Sequence, residues 1–105
     1  MRVTIVIPTY NERENISRLI PEIQRVLKDY GMKDSTTILI VDDNSPDGTG
    51  KLAEEMSKSY GNIQVLHRPG KLGLGSAYKE GFSHAIKKGS DVIIQMDADL
   101  SHDPK

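Results

Sequence analysis

The run Val3-Thr4-Ile5-Val6-Ile7-Pro8-Thr9-Tyr10-Asn11-Glu12 opens with a β-branched block that lacks strict polar alternation. A strand that reads this way is buried on both faces, the condition of a parallel sheet covered by helices on either side. Pro8 closes the block. Past it, Asn11 precedes Glu14 at the spacing of a capping box, and Ile16, Leu19, Ile20, Ile23, Val26, Leu27 and Tyr30 recur at helical spacing up to Gly31. Pro21 falls inside that pattern and is expected to bend or break it.

The same alternation continues outward. Thr37-Ile38-Leu39-Ile40-Val41 reads as a second buried strand, followed by the turn-rich Asp42 to Gly48 and a weaker helix marked by Ala53, Met56 and Tyr60. Ile63 to Leu66 is a short third strand. A glycine-rich loop from Arg68 to Gly75 leads into a helix with Ala77, Tyr78, Gly81, Phe82, Ala85 and Ile86 on one face, ended by Gly89, and Val92 to Met96 is the fourth strand. Strands alternating with helices predict an α/β fold, a Rossmann-like parallel sheet with helices on both faces. Right-handed crossovers favour the strand order third, second, first, fourth, with a switch point between the first and the fourth. Ligands of open α/β sheets bind at that point, outside the carboxyl ends of the strands. Pro8 to Glu12, Asp42-Asp43 and Asp97-Ala98-Asp99 all fall on this rim.

The chain's 105 residues suffice for one small domain with one core. A formal net charge of −1 with mixed signs gives no basic face, which disfavours nucleic acid as a partner. Cysteine is absent, so disulfide frameworks and thiolate metal sites are excluded. The N-terminal apolar run is too short for a secretory signal, and no segment approaches the roughly 20 apolar residues of a membrane span. The expected location is the cytoplasm, or the cytoplasmic face of a membrane for the full-length protein.

Asp97-Ala98-Asp99 closes the fourth apolar run. Carboxylates two residues apart in an extended segment project to the same side and offer the paired hard oxygens that Mg²⁺ or Mn²⁺ takes. Asp42-Asp43-Asn44-Ser45-Pro46-Asp47-Gly48 reads equally as turn chemistry or as part of an acidic rim. The loop Gly70-Lys71-Leu72-Gly73-Leu74-Gly75-Ser76 fits neither phosphate-loop pattern: no Gly-Lys-Ser/Thr follows the spacer, and Tyr78 stands where the dinucleotide fingerprint needs glycine. Gly73 and Gly75 are read as packing glycines, with Arg68 and Lys71 near the same rim. His67 and His84 are read as ordinary residues, whereas His102 sits beside the aspartates.

Four ordered motifs carry a resemblance that covers essentially the whole chain. They are Ile7-Pro8-Thr9-Tyr10-Asn11-Glu12-Arg13-Glu14-Asn15, Val41-Asp42-Asp43-Asn44-Ser45-Pro46-Asp47-Gly48-Thr49, Gly73-Leu74-Gly75-Ser76-Ala77-Tyr78 and Met96-Asp97-Ala98-Asp99-Leu100-Ser101-His102. Together they resemble the N-terminal part of dolichol-phosphate mannosyltransferases, in the second family of inverting GT-A glycosyltransferases. The resemblance implies a GDP-mannose donor, a polyprenyl phosphate acceptor and a membrane surface reached through later parts of the protein. It implies that residues 1–105 are the donor-binding part of a glycosyltransferase domain, truncated soon after the Asp-x-Asp motif. Pro8, Tyr10, Glu12, Val41 and Asp43 would line the nucleoside pocket, with Tyr10 as an aromatic wall and Asp43 accepting from the base edge.

Asp97 and Asp99 would hold the Mg²⁺ or Mn²⁺, with Asp99 the residue closest to the catalytic step. Ala98 would let the chain pass close to the ribose or diphosphate. Ser101 stands where relatives complete the metal shell. Other family-two donors, UDP-glucose among them, would use the same motifs. A noncatalytic, receiver-like Mg²⁺-binding α/β module is the competing class. Its acidic residues would follow the first strand, where this chain has Pro8-Thr9-Tyr10. A sheet that stops at the fourth strand would leave an apolar edge open to self-association.

Overall fold

A computed structural model describes residues 1–70 and 73–98 of the chain. Four parallel strands, β1 (Val3–Thr9), β2 (Thr36–Asp42), β3 (Ile63–His67) and β4 (Val92–Gln95), form one sheet in the order β3-β2-β1-β4. Three helices connect them: α1 (Arg13–Asp29), α2 (Thr49–Tyr60) and α3 (Leu74–Lys87), with a single 3₁₀ turn at Lys33–Ser35. The expected strand order and the switch point between β1 and β4 are therefore present.

Register explains how one β-branched strand serves two cores. Ile5 and Ile7 lie beside Ile38 and Ile40 of β2, and on this face they pack with Ile16, Leu19, Ile20, Ile23 and Leu27 of α1 and Ala53 of α2. Val6 lies beside Leu39 on the opposite face, where Val41, Ala77, Tyr78 and Phe82 join it beneath α3. The glycine that makes close packing possible there is Gly81. A Cβ at that position would stand 2.5 Å from Val6 Cγ1 and 3.2 Å from Val41 Cγ2, whereas one at Gly73 or Gly75 would meet nothing within 4 Å among the described residues. The packing role expected of Gly73 and Gly75 thus belongs to Gly81.

Pro21 does not break α1, which runs unbroken from Arg13 to Asp29. Pro21 is exposed, as is Ser17, whose carbonyl loses its helical partner there. Buried side chains on both sides of it dock on the same core. Val26 and Tyr30, which share the helical spacing, lie outside the buried stripe at 48% and 77% exposure. The capping box is also absent: Glu12 is the N-cap, without a side-chain cap bond, and Asn11 adopts φ 57°. β4 is a sheet edge among the described residues, with Val92 and Ile94 exposed.

Candidate functional site

β1 outlasts its neighbour. β4 pairs with β1 only as far as Gln95 opposite Val6, after which Met96 N donates to Val6 O at 3.0 Å. On the other side, Asp43 N donates to Thr9 O at 3.1 Å. Since the polar groups of a strand alternate between its two neighbours, Pro8 turns to the β4 side, where it has no N–H to donate. β1 and β4 part at this residue, and a cleft of about 210 Å³ opens there, lined by Pro8, Thr9, Tyr10, Glu12, Asp43, Gly73 and Ala77. A wider cleft of about 270 Å³, with Arg2, Thr4 and His84 in its wall, lies at the amino ends of the strands. The smaller one is the site candidate, because it occupies the switch point at the carboxyl ends.

The cleft brings together Pro8, Tyr10, Glu12 and Asp43, four of the residues expected in a nucleoside pocket. Glu12 is half-buried, and its Oε1 accepts from Asn15 Nδ2 at 2.7 Å. Val41 is a correction: its side chain is fully buried beneath α3, held by strand alternation on the face away from α1, and does not line the cleft. The Ala98 side chain is likewise core, 2% exposed and packed with the α1 layer. Asp97 is half-buried, and its Oδ1 accepts from the Tyr78 hydroxyl. Asp99, Ser101 and His102 lie outside the described residues. Among the described residues no three His, Cys, Asp or Glu side chains group as a metal site.

The Asp42-Asp43 pair divides by strand alternation. Asp42, 2% exposed, is turn chemistry: Oδ1 accepts from Thr9 Oγ1 at 2.7 Å and Ser45 Oγ at 2.6 Å, and Oδ2 from Ser45 N at 3.0 Å. Asp43 lines the cleft and meets Arg68, whose Nε lies 2.7 Å from Oδ1 and Nη2 3.2 Å from Oδ2. Arg68 also donates to Ser76 Oγ, Glu80 Oε1 and Gly73 O, so it ties Asp43 to the start of α3. The hydrogen bond to Asp43 holds the guanidinium pKa above its ordinary value; burial opposes this, and Glu80 adds to it.

Sequence reasoning placed Arg68 near the rim but missed its buried pairing. An arginine directly behind an apolar strand was the available signal. Missed as well were Thr9, which both lines the cleft and bonds Asp42, and Tyr78 beside Asp97.

Residues 4–105 match the profile of Glycosyl transferase family 2. The chain is 42% identical over 105 residues to polyprenol monophosphomannose synthase of Mycolicibacterium smegmatis, covering 99% of this chain and 37% of that protein. It is also 42% identical to dolichol-phosphate mannosyltransferase of Pyrococcus furiosus, covering 100% of this chain and 28% of that one. Among solved structures, the mannosyltransferase PcManGT from Pyrobaculum calidifontis in complex with GDP-Man and Mn²⁺ superposes with a TM-score of 0.79. It is 26% identical, over 93% of this chain and 27% of that one. The chain thus spans about a third of the length of these relatives. With four ordered motifs, the strand order and the switch-point cleft in agreement, the chain belongs to glycosyl transferase family 2.

Proposed function

We propose that this chain forms the donor site of a polyprenyl-phosphate mannosyltransferase that transfers mannose from GDP-mannose, with inversion, to a polyprenyl (dolichyl) phosphate. The observation that carries this reading is the cleft at the β1/β4 switch point, which joins Tyr10, Glu12 and Asp43. It lies in a fold shared with a mannosyltransferase whose structure holds GDP-Man and Mn²⁺. The guanine edge donates to the Asp43 carboxylate while Tyr10 walls the nucleoside. A carboxylate offers about four acceptor sites, so the Arg68 fork and a base edge fit on one group. Arg68, bonded to both of its oxygens, fixes the plane of that carboxylate.

The diphosphate extends toward Asp97, whose carboxylate is the hard oxygen type that Mg²⁺ and Mn²⁺ prefer. Asp97 and Asp99, with Ser101, are the residues proposed to hold the ion, with Asp99 nearest the reacting bond. A divalent ion there supplies Lewis-acid stabilisation of charge on the departing nucleoside diphosphate. A phosphate acceptor, with its second pKa near about 6, is already largely anionic at neutrality and needs little base assistance. The lipid acceptor brings the whole protein to the cytoplasmic face of a membrane, although no described helix is long and apolar enough to cross one.

The test is a titration with GDP, UDP and pyrophosphate in Mn²⁺. GDP is expected to bind more tightly than UDP, and Asp43→Asn to weaken GDP by about 1–3 kcal/mol while leaving pyrophosphate nearly unchanged. A chain that binds pyrophosphate and GDP equally, or loses both equally in Asp43→Asn, overturns the assignment of Asp43 to the base.

A further inference from the structure

We propose that Ser45, Asp47 and Thr49 are positioning residues that clamp the wall of the nucleoside pocket from the neighbouring loop. Three successive backbone amides leading into α1 donate to side chains of the β2–α2 loop and the first residue of α2: Asn11 N to Ser45 Oγ at 2.9 Å, Glu12 N to Thr49 Oγ1 at 3.0 Å and Arg13 N to Asp47 Oδ2 at 3.2 Å. The first amides of a helix have no partner inside it. A local capping residue commonly satisfies one of them. Here partners 34 to 37 residues away satisfy the amides of the N-cap Glu12 and the first helical residue Arg13, and that of Asn11 just before them, and these amides flank or belong to the cleft residues Tyr10 and Glu12.

The polarity of the clamp is determined by its second layer. The Ser45 hydroxyl donates to Asp42 Oδ1, so its oxygen is oriented to accept from Asn11. The fully buried Thr49 hydroxyl donates to Asp47 Oδ1, so its oxygen accepts from Glu12. Asp47 receives the Thr49 amide on one oxygen and the Arg13 amide on the other, and thereby ties the first residues of α1 and α2 together. Arg13 Nη1 closes the loop by donating to Gly48 O at 3.2 Å. A turn that served only its own loop would not need side chains aimed at another. The clamp also holds Asn11 at φ 57°, a left-handed conformation uncommon outside glycine but more accessible to asparagine than to most residues.

This role rests on the donor reading above, and the experiment separates the two. GDP and pyrophosphate affinities in Mn²⁺, with the thermal midpoint, are measured for the wild-type chain and for Ser45→Ala, Thr49→Val and Thr49→Ser. Losing one amide anchor is expected to weaken GDP by about fivefold, the equivalent of one hydrogen bond, and pyrophosphate by less than about twofold. Thr49→Ser, which keeps the hydroxyl, is expected to restore GDP affinity. Should Thr49→Val fail to fold, Ser45→Ala carries the comparison. Wild-type GDP affinity in the hydroxyl-free variants, or equal losses for GDP and pyrophosphate, overturns the clamp while leaving the donor reading intact. A wild-type chain that binds neither GDP nor UDP overturns the donor reading and the clamp's role with it.

Discussion

Arg68 grips both carboxylate oxygens of Asp43, through Nε at 2.7 Å and Nη2 at 3.2 Å, with the two side chains 1% and 6% exposed. Buried pairs of this kind add little net stability over apolar replacements, yet breaking one partner leaves the other charge stranded. The pair therefore serves geometry more than stability. It joins the end of β2 to the first turn of α3 across the cleft.

Arg68→Ala is accordingly expected to destabilise the chain by about 3–5 kcal/mol, read from urea unfolding, because Asp43 would keep its burial and lose its counter-ion. Arg68→Lys is expected to recover only part of that loss, since an ammonium cannot span both oxygens. A change below about 1 kcal/mol in Arg68→Ala would show that the pair is not buried as described.

Gly81 and Gly75 belong to the same helix and should respond oppositely to alanine. At Gly81 the new Cβ meets the stiff branched side chains of Val6 and Val41, with a closest approach of 2.5 Å. The expected cost is about 1–3 kcal/mol for overpacking. Gly75→Ala meets nothing within 4 Å among the described residues, so removing a flexible helical glycine is expected to be neutral or stabilising by up to about 1 kcal/mol. Thermal midpoints of the two variants decide this. A stabilised Gly81→Ala would refute the close approach of α3 to β1.

What the sequence made legible follows from interaction range. Strand order was readable because Val3 to Ile7 and Thr37 to Val41 carry burial on both faces in their own composition, and chirality narrows the connections. Pro8, Tyr10, Glu12 and Asp43 were placed on one rim by topology alone. Side-chain facing beyond the strand ends was less visible: Val41 and Ala98 belong to motifs of the site, yet both side chains pack into the core. The capping box at Asn11 and Glu14 failed because a local signal lost to remote partners, Ser45, Asp47 and Thr49. Pro21 misled for the reverse reason, a local helix breaker overridden by tertiary packing on both sides.

Asp47 should leave a signature in acid. Burial pushes its carboxyl up, but the Thr49 hydroxyl, the Arg13 and Thr49 amides and the Arg13 charge outweigh that and hold it below its ordinary 3.8. A carboxyl depressed by folding contributes stability that is fully present above the unfolded value and is lost as pH falls through the lower folded one. Denaturant midpoints measured from about pH 5 down to pH 2 are expected to fall less steeply in Asp47→Asn than in the wild type. Parallel acid limbs would remove Asp47 from the clamp as an ionised group.

The metal assignment is tested at the aspartates themselves. Asp97 stands at the rim with the Tyr78 hydroxyl on its Oδ1, an arrangement that orients the carboxylate as a supporting hydrogen bond orients a metal ligand. Asp99 follows two residues later. If both hold one ion, nucleotide affinity in Asp99→Ala should become independent of Mn²⁺, and Asp97→Ala should reduce the Mn²⁺ enhancement. Tyr78→Phe removes only the orienting hydroxyl and is expected to cost about 10- to 100-fold in metal affinity, the usual effect of losing an outer partner. Calorimetry of GDP binding with and without Mn²⁺ separates these variants. An Asp99→Ala chain with an undiminished Mn²⁺ enhancement would take the ion away from this motif, whereas equal affinity in Tyr78→Phe would leave the ion in place and remove Tyr78 from its support.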